Sequence, residues 1–401
     1  MSKEDLMTPE DIERLRRAKA EIGDRIKGNE TVIDGLFIAL FTRGHVLLEA
    51  NPGLGKTSLM KAFTDALGLS FEDRGRIQFT PDLMPADITG TLMPVENDVT
   101  KLAFQAGPIF RSILLADEIN RATPKTQSAM LEAMAEKQVT VLGKTRRLPL
   151  GDRGDDPRAP FMVIATQNPI DQEGTYELPE AQTDRFMFKF LMNMPPAKSL
   201  REIVERETGQ SVAGAASGPR GVETRHAERE ASLDWLSRLS ATVRETRLWP
   251  AALRHISNVV LATNGRFAEC EDVPANNLAA LRQFVADYLD FPLGPRAAIQ
   301  LGAAAKGYAT INASPDDVSR VDQRIPAGMD WAAVPVLRHR LKFKYGWLEK
   351  AREADRLPEA EAETVREHLV HKLFRLAVPR GSAADGYAQI LDGFATARGQ
   401  P

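Results

Sequence analysis

His45-Val46-Leu47-Leu48-Glu49-Ala50-Asn51-Pro52-Gly53-Leu54-Gly55-Lys56-Thr57-Ser58-Leu59-Met60-Lys61-Ala62-Phe63 opens as an apolar strand, passes through a glycine loop and closes as a helix. That order is what a phosphate-binding loop requires. Gly53 and Gly55 let successive backbone N–H groups turn toward the β- and γ-phosphates of a nucleotide, and the helix that follows adds its positive dipole end. Lys56 is positioned to bridge β and γ oxygens and Thr57 to ligate Mg²⁺. Asn51, Pro52, Gly53, Leu54, Gly55, Lys56, Thr57 and Ser58 therefore make up the expected ATP-binding segment. One residue departs from the pattern G-x-x-x-x-G-K-[ST]: Ala50 stands where glycine is usual, and its methyl group is tolerable if the backbone there keeps a negative φ.

Downstream, Ile113-Leu114-Leu115-Ala116-Asp117-Glu118 is an apolar strand ending in two acids. Asp117 would hold the water shell of the metal, and Glu118 would orient and deprotonate the attacking water. Many buried strands end in acids, so the pattern gains its meaning from the loop upstream. The next strand, Phe161 to Thr166, emerges into Gln167-Asn168-Pro169, which puts an amide where ligands of open α/β sheets sit. Asn168 can hydrogen-bond the γ-phosphate or the lytic water there, or serve only as a turn residue. Two arginines complete the candidates: Arg185 after a short helix begun at Pro179, and Arg296 in Gly294-Pro295-Arg296-Ala297 at a helix start. Phosphoryl transfer leaves charge on the γ oxygens, which an arginine from a neighbouring subunit stabilises. On spacing alone a surface salt bridge reads equally well.

Short apolar runs at 45–48, 77–79, 113–116, 162–165 and 187–191 alternate with helical stretches, so an α/β parallel sheet is expected up to about 195. A preceding amphipathic helix over 9–27 presents Ile12, Leu15, Ala18 and Ile22 to the core. Two hairpins interrupt the βα rhythm, one near 91–105 with a polar turn at Glu96-Asn97-Asp98, the other at 138–149 across Gly143. After Pro195-Pro196 helical spacing takes over. The expected organisation is a nucleotide-binding core over 1–195, a helical domain over 196–345 and a helical extension over 346–401, with 209–221 (GQSVAGAASGPRG) expected to be a mobile loop.

With 401 residues, 43% hydrophobic and 27% charged, the chain has the composition of a globular protein of more than one domain. No apolar run approaches the ~20 residues of a membrane span, and the N-terminus lacks the pattern of a secretory or transit signal, which points to the cytoplasm. Cys270 is the single cysteine and the six histidines show no metal-ligand spacing, so Mg²⁺ carried by a nucleotide is the metal expected. A net charge of −3 gives no general attraction to nucleic acid, and Lys144-Thr145-Arg146-Arg147 reads as a solvated face.

The chain resembles the MoxR-type AAA+ ATPases, in the group with an insert in helix 2. The resemblance rests on IKGNETVIDGLFIALFTRGHVLLEANPGLGKT (26–57), GRIQFTPDLMPADITG (75–90), GPIFRSILLADEINRATPKTQSAMLEAMAEKQVT (107–140), ATQNPIDQEGTYELPEAQTDRF (165–186), GPRA (294–297) and VLRHRL (336–341), and covers roughly 12–345. It implies an AAA+ ATPase core with an all-helical lid, assembled into a homo-oligomeric ring, usually a hexamer, with a chaperone-like remodelling role. A partner with a von Willebrand A domain is common in the family, sometimes in metal-cofactor insertion. By position, Lys56 and Thr57 would be Walker A, Asp117 and Glu118 Walker B, Asn168 sensor 1, Arg185 the arginine finger and Arg296 sensor 2. Asn120 and Arg121 would lie near the subunit interface, and the two hairpins would be the helix-2 insert and the hairpin before sensor 1. Competing readings are a nucleic-acid motor and a non-hydrolysing scaffold. The first insert carries Glu96 and Asp98 against Lys101, poor for tracking phosphates, and a scaffold has no need of Glu118 or the arginines.

Overall fold

The computed structural model describes residues 6–51, 53–95, 98–141, 143–149, 156, 158–168, 175–192, 194–208, 222–357, 359–381 and 386–397. Pro52, the hairpin turn at 96–97 and the 209–221 stretch lie outside them. The chain divides into two compact units, Met1–Ala241 and Thr242–Pro401.

The first unit begins with α1 (Pro9–Arg25), whose start is fixed by a reciprocal cap: Thr8 Oγ1 accepts from the Asp11 N–H, and the Asp11 carboxylate accepts from the Thr8 N–H. Ile12, Leu15, Ala18 and Ile22 are buried along one face. The apolar α2 (Glu30–Phe41) follows, then β1 (Val46–Ala50), α3 (Lys56–Ala66), β2 (Arg74–Gln78), α4 (Pro85–Thr89), and the antiparallel pair β3 (Gly90–Val95) and β4 (Asp98–Ala106). Next come β5 (Ile113–Asp117), α5 (Pro124–Glu136), a second hairpin of β6 (Gln138–Val141) and β7 (Lys144–Arg147), β8 (Met162–Gln167), α6 (Glu180–Thr183), β9 (Phe188–Met192), α7 (Ala197–Glu207) and α8 (Val222–Glu245).

Five strands form one parallel sheet in the order β2-β5-β8-β1-β9. Its central strands read as continuous apolar runs because helices cover both faces: every residue of β5 is buried, and Leu47, Leu114, Met130 and Phe186 share one core. The chain leaves β1, crosses to the far edge as β2, and returns to fill the gap with β5 and β8. Ligands of open α/β sheets bind at such a reversal, at the carboxyl ends of the strands. Edge strand β2 starts at Arg74, earlier than its apolar run at 77–79 suggests, since an edge strand carries polar residues that hide its period.

The unit extends to Ala241 because the charged face of α8 is pinned to it. Arg238 forks onto Asp11 at 2.8 and 2.6 Å, and Arg229 onto Asp73 at 2.9 and 2.7 Å. Trp235 is buried with the Arg14 guanidinium 4.2 Å from its ring centroid. Burial alone would raise the Asp11 pKa, but the Arg238 fork and the Thr8 cap hold it below the ordinary carboxylate value.

The second unit contains α9 (Pro250–Thr263), α10 (Ala275–Tyr288), β10 (Leu289–Phe291), α11 (Pro295–Ile311), α12 (Ile325–Leu337), β11 (Lys342–Phe343), α13 (Trp347–Ala354), α14 (Ala362–Leu376) and α15 (Tyr387–Ala397). At Gly328 of α12 an added Cβ would lie 2.5 Å from the Ala305 carbonyl of α11, so the two helices meet backbone to backbone. The segment beyond 346 belongs to this unit. His255 of α9 is bonded to Tyr387 Oη at 2.9 Å and to the Phe374 carbonyl at 2.7 Å, which ties α14 and α15 to the rest.

Candidate nucleotide site

Strand β1 ends at Ala50 in extended backbone, so the position where glycine is usual needs no positive φ. The loop beyond does: Gly53 has φ +84° and Gly55 φ +77°, and nothing crowds the Gly53 Cα. Lys56 begins α3, and its ammonium donates to the Ala50 carbonyl at 3.4 Å, folding back over the loop. Asn51, Gly53, Thr57 and Ser58 are exposed, with Leu54, Gly55 and Lys56 half-buried. A helix N-terminus preceded by two positive-φ glycines is the backbone character of a phosphate-binding loop.

Strand order brings the other residues to it. β8 lies between β1 and β5, with Glu49 level with Gln167 and Ala116 level with Ala165, so the chain exits from three adjacent strands converge. Thr166 ties two of them together. Its hydroxyl donates to Asp117 Oδ1 at 2.7 Å and accepts the Glu118 N–H at 2.9 Å. Glu118 itself has φ +57°, a left-handed conformation that costs a non-glycine residue energy and is typical of residues held for function. Asn168 is the residue that follows β8, and it is buried. Thr57 and Asp117 supply a hydroxyl and a carboxylate, oxygen donors that suit a hard divalent cation carried by phosphates.

Three partners of the acids were not foreseen from the sequence. Thr166 is one. The others come from β2, where Arg76 reaches Asp117 Oδ2 at 2.8 Å and Gln78 donates to Glu118 Oε2 at 2.9 Å, while Arg121 Nε approaches the same Glu118 oxygen at 3.2 Å. Their signal was the polar alternation Arg76, Gln78 around buried Ile77, read only as the edge of an apolar run.

Arg185 lies elsewhere. It precedes β9, whose Phe188 is level with Val46 at the start of β1, and Met187 N–H donates to the His45 carbonyl at 2.8 Å. The phosphate loop leaves the opposite end of β1, at least four residues or roughly 13 Å further along the strand direction. Arg185 is half-buried and makes no ion pair or side-chain hydrogen bond among the described residues. Arg296 is the second residue of α11 in the other unit and is exposed. A cation there faces the positive end of its own helix, which does the helix no good.

Residues 45–188 match the model of the ATPase family associated with various cellular activities (AAA). Chaperone MoxR1 of Mycobacterium tuberculosis is 35% identical over 84% of this chain and 77% of its own length. The uncharacterized protein YeaC of Bacillus subtilis is 52% identical over 182 residues, which cover 45% of this chain and 52% of that protein. The crystal structure of a candidate ATPase from Cytophaga hutchinsonii superposes with a TM-score of 0.64 at 29% identity, covering 90% of this chain and 95% of that one. A strand-loop-helix phosphate site, two acids on the adjoining strand and a relative similar over most of both lengths lead to one assignment: the chain belongs to the MoxR family of AAA+ ATPases and is an ATP hydrolase.

Proposed function

We infer that the protein hydrolyses ATP·Mg²⁺ within a homo-oligomeric ring, in the manner of a hexamer, and uses the energy to remodel or activate a protein partner. The observation that carries this reading is the convergence of the β1, β8 and β5 exits, with Thr166 bonded to both Asp117 and the Glu118 backbone. In it, Asn51 to Ser58 cradle the phosphates and Lys56 neutralises the β and γ oxygens. Thr57 and Asp117 hold Mg²⁺, which when bound supplies charge neutralisation to the phosphates. Glu118 takes the proton of the attacking water, and Asn168 orients that water or the γ-phosphate. Arg185 acts on the nucleotide of a neighbouring copy, and the position before β9, remote from its own loop, supports that role. Arg296 senses the nucleotide from the helical lid.

Residues 1–195 are then the ATPase core, 196–345 the lid and 346–401 a helical extension. The β3–β4 and β6–β7 hairpins are the elements through which the partner is engaged. The name of MoxR1 as a chaperone supports a protein client, and a von Willebrand A domain protein is the partner class to seek first. Replacing Lys56 with alanine tests the base of the reading. Calorimetry should find ATP binding abolished in a chain that keeps its circular dichroism spectrum, because the loop loses its single mobile cation while the fold loses no packing. Unchanged ATP affinity would remove the phosphate-loop assignment.

A further inference from the structure

Both acids at the end of β5 are held from the edge strand beside it. Arg76 Nη2 donates to Asp117 Oδ2 at 2.8 Å and to Gln78 Oε1 at 3.0 Å. Gln78 Nε2 in turn donates to Glu118 Oε2 at 2.9 Å. Arg76 and Gln78 are two apart on β2, hence on one face, and Gln78 is level with Asp117 in the parallel register. Asp117, Arg76, Gln78 and Glu118 thus form one continuous chain of hydrogen bonds across two strands.

Asp117 Oδ1 accepts from Thr166 and Oδ2 from the Arg76 guanidinium, so each carboxylate oxygen already has a donor that a metal-bound water must share or displace. The guanidinium 2.8 Å from Oδ2 repels a divalent cation seeking to share it. The side chain of Asp117 is 9% exposed and that of Arg76 is 48% exposed, so the arginine is the partner with room to move. We propose that Arg76 is a latch on Asp117 that competes with nucleotide-borne Mg²⁺ and withdraws when the metal arrives. Arg76 is a positioning residue in this scheme, since it touches neither the reacting atoms nor the water.

The proposal rests on the ATPase reading above, in which Asp117 serves the metal. Its test measures the affinity of a non-hydrolysable ATP analogue by calorimetry across a series of free Mg²⁺ concentrations, with EDTA as the metal-free limit. For Arg76→Gln the Mg²⁺ affinity of the nucleotide complex should tighten about two- to fivefold, the span of an ion pair with one exposed partner, while Arg76→Lys stays near the parent. Arg121→Gln removes an equal charge from Glu118 rather than Asp117 and should leave Mg²⁺ affinity unchanged. An Mg²⁺ affinity that weakens in Arg76→Gln would make the arginine a support of the metal site and overturn the latch. So would equal tightening in Arg121→Gln, which would reduce the effect to general electrostatics. A crystal structure with the analogue and Mg²⁺ should find Arg76 withdrawn from Asp117, and an intact contact there would also overturn it. If the parent chain binds no nucleotide at any Mg²⁺ concentration, the ATPase reading itself fails, a result distinct from nucleotide binding with an unshifted metal dependence.

Discussion

His45 and His255 are fully enclosed imidazoles, one in each unit, and burial pushes both pKa values down to about 4. His45 Nδ1 accepts from the Val163 N–H at 3.1 Å, which leaves Nε2–H to donate to the Met134 carbonyl at 3.2 Å, so the ring locks β1 to its neighbours as a neutral group. His255 does the same work for α14 and α15. The folded values lie below the ordinary 6.5, so between pH 6.5 and 4 the unfolded chain binds more protons than the folded one. Stability is therefore full above pH 6.5 and falls as pH drops through that window, by up to about 3 kcal/mol per histidine at its lower end. Thermal unfolding of the second unit should show that slope, and His255→Asn should flatten it while lowering stability at pH 7. An unchanged slope in the variant would shift the acid sensitivity to other groups. Neither histidine belongs to the nucleotide site.

At the scale of elements, the insert hairpin depends on two glycines pressed together at its base. Gly90 has φ +88°, and a Cβ there would meet the Gln105 carbonyl at 2.2 Å; at Gly107 it would meet the Ile88 carbonyl at 2.2 Å. Gly90→Ala should destabilise the hairpin by about 1–3 kcal/mol or displace it. Faster hydrogen exchange confined to 91–106, with ATP affinity retained, is the expected outcome; protection equal to the parent would mean the hairpin tolerates the substitution. The hairpin was legible in the sequence because its turn and strands are contiguous. So were the positions of Lys56 at a helix start and of Asp117 and Glu118 at a strand end, each set by a run of a few residues. Arg76, Gln78 and Thr166 were not, since their meaning depends on β2 and β8 flanking β5, and strand order is a long-range property that no local period records. The packing of α14 and α15 into the second unit was hidden for a similar reason: amphipathic spacing marks a buried face but not what buries it.

The whole molecule acts, in this account, only as an assembly. On the proposed reading each chain carries its phosphate loop and the Asp117–Glu118 pair at one end of the sheet and Arg185 beyond the other end of β1, so one copy would offer its arginine where a second copy holds ATP. Arg185→Ala should bind ATP nearly as the parent does yet lose hydrolysis by a factor on the order of 10³–10⁵, and Glu118→Gln should bind ATP without turnover. The two defects fall on opposite sides of one junction between subunits. In a mixed assembly, an Arg185→Ala chain still brings an intact Glu118 and a Glu118→Gln chain an intact Arg185, so junctions that pair the intact halves recover a working site. The most direct measurement is the ATPase rate after the two inactive proteins are mixed and subunit exchange is verified by labelled chains. Activity that rises well above either protein alone is the result predicted here. Activity that stays absent, while parent chains mixed with either variant remain active, would contradict an arginine acting across the interface from position 185.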